Sequence, residues 1–134
     1  MDSIEEWINY VKKNSSKSTV SSEWVVTDTF LAFNNENILV GIISLHYELN
    51  DFLKYFGQIG YSIRPLQRKK GYATEMLKET LKIAKNKGLN QVIISTKEDN
   101  IASIKIIEKN GGYLIKSLEY LDYMIKMFRI DIWR

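Results

Sequence analysis

Residues 60–77 read Gly60-Tyr61-Ser62-Ile63-Arg64-Pro65-Leu66-Gln67-Arg68-Lys69-Lys70-Gly71-Tyr72-Ala73-Thr74-Glu75-Met76-Leu77. The first part is the end of a strand. Pro65, the only proline of the chain, has no N–H to give to a ladder and stops it. The last part opens a helix. Ala73, Met76, Leu77, Thr80, Leu81 and Ala84 fall on one helical face, and Lys78, Lys82 and Lys85 fall on the other. Between strand and helix stand Arg64, Arg68, Lys69 and Lys70 with no acid among them. A basic run is ordinarily a solvated turn, but this one heads a helix. The first-turn N–H groups of a helix lack intrahelical partners, and its dipole favours negative charge there. Gly71 and Ala73 keep the backbone bare for close approach. Arg68, Lys69 and Lys70 add charge-assisted contacts to a phosphate. The segment is therefore an anion cradle. It is not a P-loop, because no Gly-Lys-Ser/Thr follows at the required spacing, and it lacks the dinucleotide Gly-x-Gly-x-x-Gly pattern.

Outward from this stretch the chain alternates. Residues 4–13 place Ile4, Trp7, Ile8 and Val11 at helical spacing, with Ser3 and Glu6 as a capping box. Residues 14–22 are polar and read as a loop. Residues 27–33 and 38–46 read as two strands around the turn residues Asn34-Asn35-Glu36-Asn37, an antiparallel hairpin. Residues 48–56 read as a loop, and 58–63 as the third strand. The clearest helix spans 73–87, with Gly88 at its C-terminus. Val92-Ile93-Ile94 is a continuous apolar run, as a buried parallel strand gives. Asn100 caps a helix to about Lys109, ended by Gly111-Gly112. Residues 113–118 and about 124–133 read as two final strands. Trp7, Trp24 and Trp133 read as core or interface residues. The order predicts a mixed α/β (α+β) fold with a crossover in its middle.

The chain has 134 residues, enough for one domain over 1–134 and too few for two ordinary ones. With no Cys and one His, it has no disulfide framework, no thiolate nucleophile and no His- or Cys-rich metal site. The N-terminus lacks a signal-peptide pattern and no apolar run reaches bilayer length, so the expected location is the cytoplasm, off the membrane. A net charge of +3, with its basic cluster compact, argues against a nucleic-acid partner.

Three sets of residues resemble the GNAT N-acetyltransferase superfamily, and in particular a group of bacterial acetyltransferases. Arg68-x-x-Gly71-x-Ala73 is similar to its pyrophosphate motif, Q/R-x-x-G-x-G/A. Asn100-Ile101-Ala102-Ser103, then Glu108-Lys109-Asn110-Gly111, is similar to its N-x-x-A/S … E-K-x-G helix. His46 to Asp51 and Gly57 to Pro65 complete the likeness, which covers about residues 23–112. The resemblance implies the family fold, a mostly antiparallel mixed sheet flanked by helices, and acetyl-CoA as cofactor. It implies that the pyrophosphate sits on Arg68, Lys69, Lys70, Gly71, Tyr72, Ala73 and Thr74. The pantetheine would pair with Tyr61, Ser62 and Ile63, faced by Asn100 and Ser103. A backbone N–H near Ile63 would polarise the thioester carbonyl.

The sequence departs from the family in three places. Ile107 stands where many members carry a tyrosine acid, and Gln58 where many carry a glutamate base. An amine with a pKa near 10 must lose a proton before it attacks, which leaves His46 and Glu48, with Asp51, as candidate bases. The family's usual first strand is expected to be missing, leaving about six and an exposed edge that a second subunit, as in a homodimer, could cover. The expected activity is transfer of acetyl from acetyl-CoA to a primary amine, of a small molecule or a protein, by direct attack in a ternary complex. The alternative is a non-catalytic acyl-CoA binding module.

Overall fold

The computed structural model describes residues 4–20 and 25–132. The elements run α1 (Ile4–Asn14), β1 (Thr27–Phe33), β2 (Leu39–His46), α2 (Leu53–Phe56), β3 (Ile59–Ile63), a 3-10 turn (Pro65–Gln67), α3 (Tyr72–Asn86), β4 (Gln91–Lys97), α4 (Ile101–Lys109), β5 (Tyr113–Tyr120) and β6 (Tyr123–Asp131). The expected mixed α/β order is present. Ser3, Trp24 and Trp133 lie outside the described residues, and Trp7 is half-buried on α1.

The strands form two three-stranded sheets, in the orders β1-β2-β3 and β4-β6-β5. All four strand pairings are antiparallel. Two expectations are corrected here. The run Val92–Ile94 is not a parallel strand: it pairs antiparallel with β6, Ile94 opposite Phe128. It is apolar throughout because β4 is the inner border of its sheet at the centre of the molecule, with Val92 and Ile94 almost fully buried. Residues 48–56 are not all loop. Asn50 Oδ1 accepts the N–H of Leu53 and starts the single turn of α2, and Phe52 stacks on Phe56.

The core lies between the sheets and the helices. Met76, Leu77, Leu81 and Ala84 of α3 pack with Ile43 and Leu45 of β2, Ile59 of β3, Val92 and Ile94 of β4 and Ile107 of α4. Burial of each of these side chains other than Ala84 contributes roughly 1.5–3 kcal/mol. Among the described residues β1 pairs only with β2, so its other edge carries no strand.

Among the described residues the backbones of the two sheets are bridged at Gly57 and Gln58. Gly57 bridges Ile94, and Gln58 N–H donates to Ile93 C=O at 2.6 Å. Gly57 has φ 82°, and a Cβ there would stand 2.8 Å from Ile93 O and 2.9 Å from Ile94 Cα. Both neighbours are backbone and cannot rotate away. Gly57→Ala is therefore expected to destabilise the fold by about 2 kcal/mol, read as a lower urea midpoint.

Candidate cofactor cleft and active site

Beyond Gln58 the strands β3 and β4 belong to different sheets and diverge. His46 N–H bonds to Gln58 C=O, and Arg64 N–H to Val40 C=O. In an antiparallel ladder the bonded residues alternate, so Gly60 and Ser62 also face β2. Tyr61 and Ile63 then turn their N–H and C=O groups the other way, into the gap. Ile63 C=O accordingly accepts Arg68 Nε at 3.4 Å.

At the far end of β3 the basic turn closes the gap. Lys69 and Gly71 take left-handed conformations, φ 64° and 84°, which swing the chain into α3. The first bond of that helix is Glu75 N–H to Gly71 C=O. The N–H groups of Tyr72, Ala73 and Thr74 thus have no helical acceptor, and no side chain caps them at Gly71. Asn110 Nδ2 donates to Thr74 C=O and Ile106 C=O and ties this helix head to α4. Asn100 Oδ1 accepts Ser103 N–H at 3.1 Å, the expected cap of α4.

These parts enclose a cavity of about 770 Å³, within the size of small-molecule and cofactor sites. β3 contributes Tyr61, Ser62 and Ile63 to its wall. The turn and α3 contribute Arg68, Lys69, Gly71, Tyr72, Ala73 and Thr74, and Asn100 and Ser103 come from the head of α4. Lys70 is not in the wall. Its ammonium donates to Gln67 Oε1 at 3.2 Å. The wall also holds residues the sequence reading missed: Gln67, and Ala102, Lys105, Ile106 and Lys109 of α4. The spacing of these last four, i, i+3, i+4 and i+7, marks one helical face and was the available signal. No wall residue is acidic, while Arg68, Lys69, Lys105 and Lys109 are basic. The residues fit an anionic, phosphate-bearing ligand with an extended arm along β3.

The candidate bases lie elsewhere. His46 ends β2 and Glu48 is exposed in the turn after it; neither is in the cavity wall. Thr27 Oγ1 donates to Val25 C=O at 3.0 Å and lies 2.7 Å from His46 Nδ1. This gives the imidazole a hydrogen-bond partner at Nδ1 and holds the ring against β1. Burial lowers the His46 pKa below its ordinary 6.5. Tyr61 Oη lies 2.8 Å from Ser103 Oγ across the gap, and burial raises its pKa against an opposing effect of that bond. Gln58 is buried. Its Oε1 accepts Ile93 N–H and its Nε2 donates to His46 C=O. Ile107 is fully buried in the core and does not reach the cavity. Among the described residues no group of acids and histidine could hold a metal, and no helix is long and apolar enough to cross a membrane.

The family model of the acetyltransferase (GNAT) domain matches residues 1–112. Among solved structures, an acetyltransferase (GNAT family) from Bacillus anthracis is 25% identical, with 79% of this chain and 67% of that one covered at a TM-score of 0.68. A GNAT-family acetyltransferase from Streptococcus pneumoniae is 20% identical, covering 96% and 74%, TM-score 0.70. The spermidine N-acetyltransferase from Vibrio cholerae, in complex with CoA and spermine, is 16% identical, covering 98% and 77%, TM-score 0.74. The last two similarities establish the fold. No curated protein matches the sequence. The chain belongs to the GNAT acetyltransferase family, whose cofactor is acetyl-CoA.

The setting of His46 has a measurable consequence. The unfolded chain takes up a proton on this imidazole near pH 6.5, and the folded chain only at lower pH. Between those values the unfolded state holds more protons, so stability falls as pH drops through 6.5 and is complete above it. In His46→Asn, whose amide can still donate toward Thr27, this part of the slope is expected to vanish. Urea denaturation at a series of pH values checks it; an identical slope in the variant would show that His46 titrates normally.

Proposed function

We propose that residues 1–134 form one cytoplasmic acetyltransferase domain that carries the acetyl group of acetyl-CoA to a primary amine, by direct attack of the amine in a ternary complex. The observation that supports this most is the convergence on one cavity of three dissimilar features. They are the outward N–H groups of β3, the open helix head of α3 beside Arg68 and Lys69, and the Asn100–Lys109 face of α4. Acetyl-CoA, when bound, supplies an activated acetyl group. Arg68, Lys69 and the N–H groups of Tyr72, Ala73 and Thr74 would hold its pyrophosphate. Lys105 and Lys109 add positive charge on the opposite wall. Tyr61, Ser62 and Ile63 line the path of the pantetheine arm, with Asn100 and Ser103 facing them. The N–H of Tyr61 or Ile63 is directed where the acyl oxygen gains charge.

The amine must lose a proton, and Gln58 cannot take it. We assign that task to His46, directly or over a water molecule. Burial keeps the ring neutral, the form a base needs. Glu48 is the alternative, exposed and close in sequence. The acceptor is a primary amine of a small molecule or of a protein.

A second reading has specific support. His46 and Glu48 stand outside the cavity wall, and Gln58 and Ile107 are committed to the fold. A protein that binds acyl-CoA without turnover would look the same. Calorimetric titration with acetyl-CoA, followed by thiol release against a panel of amines, separates the two. Binding with release is expected; binding with no release for any amine favours the binding module, and no binding overturns both. Arg68→Glu is expected to weaken acetyl-CoA binding at least tenfold, since it replaces a charge-assisted contact worth about 1.5–3 kcal/mol with repulsion. An unchanged affinity would refute the placement of the pyrophosphate.

A further inference from the structure

The face of α4 that meets the cavity carries no phenol. Ile107 points into the core, where it is 0% exposed and where any Cβ on Gly112 would collide with its Cγ2. Ser103 is the hydroxyl that α4 presents to the cavity. A phenol nevertheless reaches this helix from the other side. Tyr61 leaves β3, crosses the gap and places Oη 2.8 Å from Ser103 Oγ. Both residues line the cavity.

Their position along the cavity matters. The basic turn at Arg68–Thr74 is one end. β3 runs back from it through Ile63 and Ser62 to Tyr61, its most distant residue in the wall. Beyond Tyr61 the sheets are joined at Gly57 and Gln58, so a ligand anchored by its phosphates at the turn ends beside Tyr61. Tyr72 is the other phenol in the wall, but it heads α3 at the phosphate end.

We propose that Tyr61, held in place by Ser103, is the group that gives a proton to the departing sulfur. The proposal rests on the acetyltransferase reading above. As the amine nitrogen bonds to the acyl carbon, the carbon–sulfur bond breaks and sulfur leaves with the electron pair. Tyr61 Oη passes its proton to that sulfur, which becomes the thiol. Ser103 Oγ, donating to Tyr61 Oη, returns a proton to the phenolate and is itself refilled from solvent. The proton lost by the amine goes to the base, so the sum is amide plus thiol. Burial favours the neutral phenol, which keeps the donor charged with its proton at neutral pH.

Tyr61→Phe keeps the ring and removes only the donor. Turnover is expected to fall on the order of a hundredfold, with the KM for acetyl-CoA little changed. A second readout does not depend on turnover. In the wild-type protein bound CoA should titrate its thiol, followed by thiolate absorbance, about one unit lower than in Tyr61→Phe, because a hydrogen bond to the thiolate is lost in the variant. Ser103→Ala should lower turnover by a smaller factor and Ser103→Thr should restore it. Equal thiol titration and equal turnover in wild type and Tyr61→Phe would overturn the proposal while leaving acetyl transfer standing. Failure of the wild-type protein to bind CoA would overturn the acetyltransferase reading, and this one with it.

Discussion

One amide side chain holds the two sheets in register. Gln58 gives its own N–H to Ile93 C=O, accepts Ile93 N–H on Oε1, and donates from Nε2 to His46 C=O. The side chain replaces the ladder bonds that β2 and β4 cannot make to each other. Because the stitch is confined to Gly57 and Gln58, β3 and β4 are free to part immediately afterwards, and the parting is the cavity. A buried carboxylate here could accept from Ile93 but could not donate to His46, and would carry an uncompensated charge. The same position therefore cannot serve both as this stitch and as a base. The residue serves the structure, so in the proposed reaction the proton acceptor comes from another element.

The sequence shows some of this plainly and hides the rest, for physical reasons. β3, α3 and α4 were legible because each is governed by local periodicity and by a local stop: Pro65 after β3, Gly88 after α3, the Asn100 cap of α4. The cradle was legible for the same reason, being eighteen consecutive residues with a strand at one end and a helix at the other. α2 was not. It is one turn long, and what steadies it is remote: Tyr55 and Phe56 rest on Tyr120 at ring separations of 5.0 Å. The pairing of β4 was misread because an all-apolar run reports burial on both faces, and burial does not encode strand direction. The role of Gln58 depends on Ile93, 35 residues away, and no local pattern carries that. Lys70 belongs to the same basic run, yet the left-handed Lys69 beside it turns the chain so that the Lys70 ammonium reaches back to Gln67.

Charge in the cleft is arranged by backbone as much as by side chains. A net charge of +3 over 134 residues is weak, but the wall of the cavity concentrates its basic residues and excludes acids. The unpaired N–H groups at the head of α3 add to the same field without adding formal charge. Asn110 matters here although it touches no part of the cavity: by binding Thr74 C=O and Ile106 C=O it fixes the two helix segments that bear the opposing walls.

The two titrating groups proposed for the reaction sit in environments that act on them in opposite directions by a single cause. Burial disfavours a charged form whatever its sign. It lowers the imidazole of His46 and raises the phenol of Tyr61. At neutral pH the ring is thereby kept deprotonated and able to accept, while the phenol is kept protonated and able to give. Thr27 holds Nδ1 of His46, and Ser103 fixes where the phenol of Tyr61 stands. The donor thus faces the cavity, while the acceptor stands outside its wall, beside the Gln58 stitch that joins the sheets.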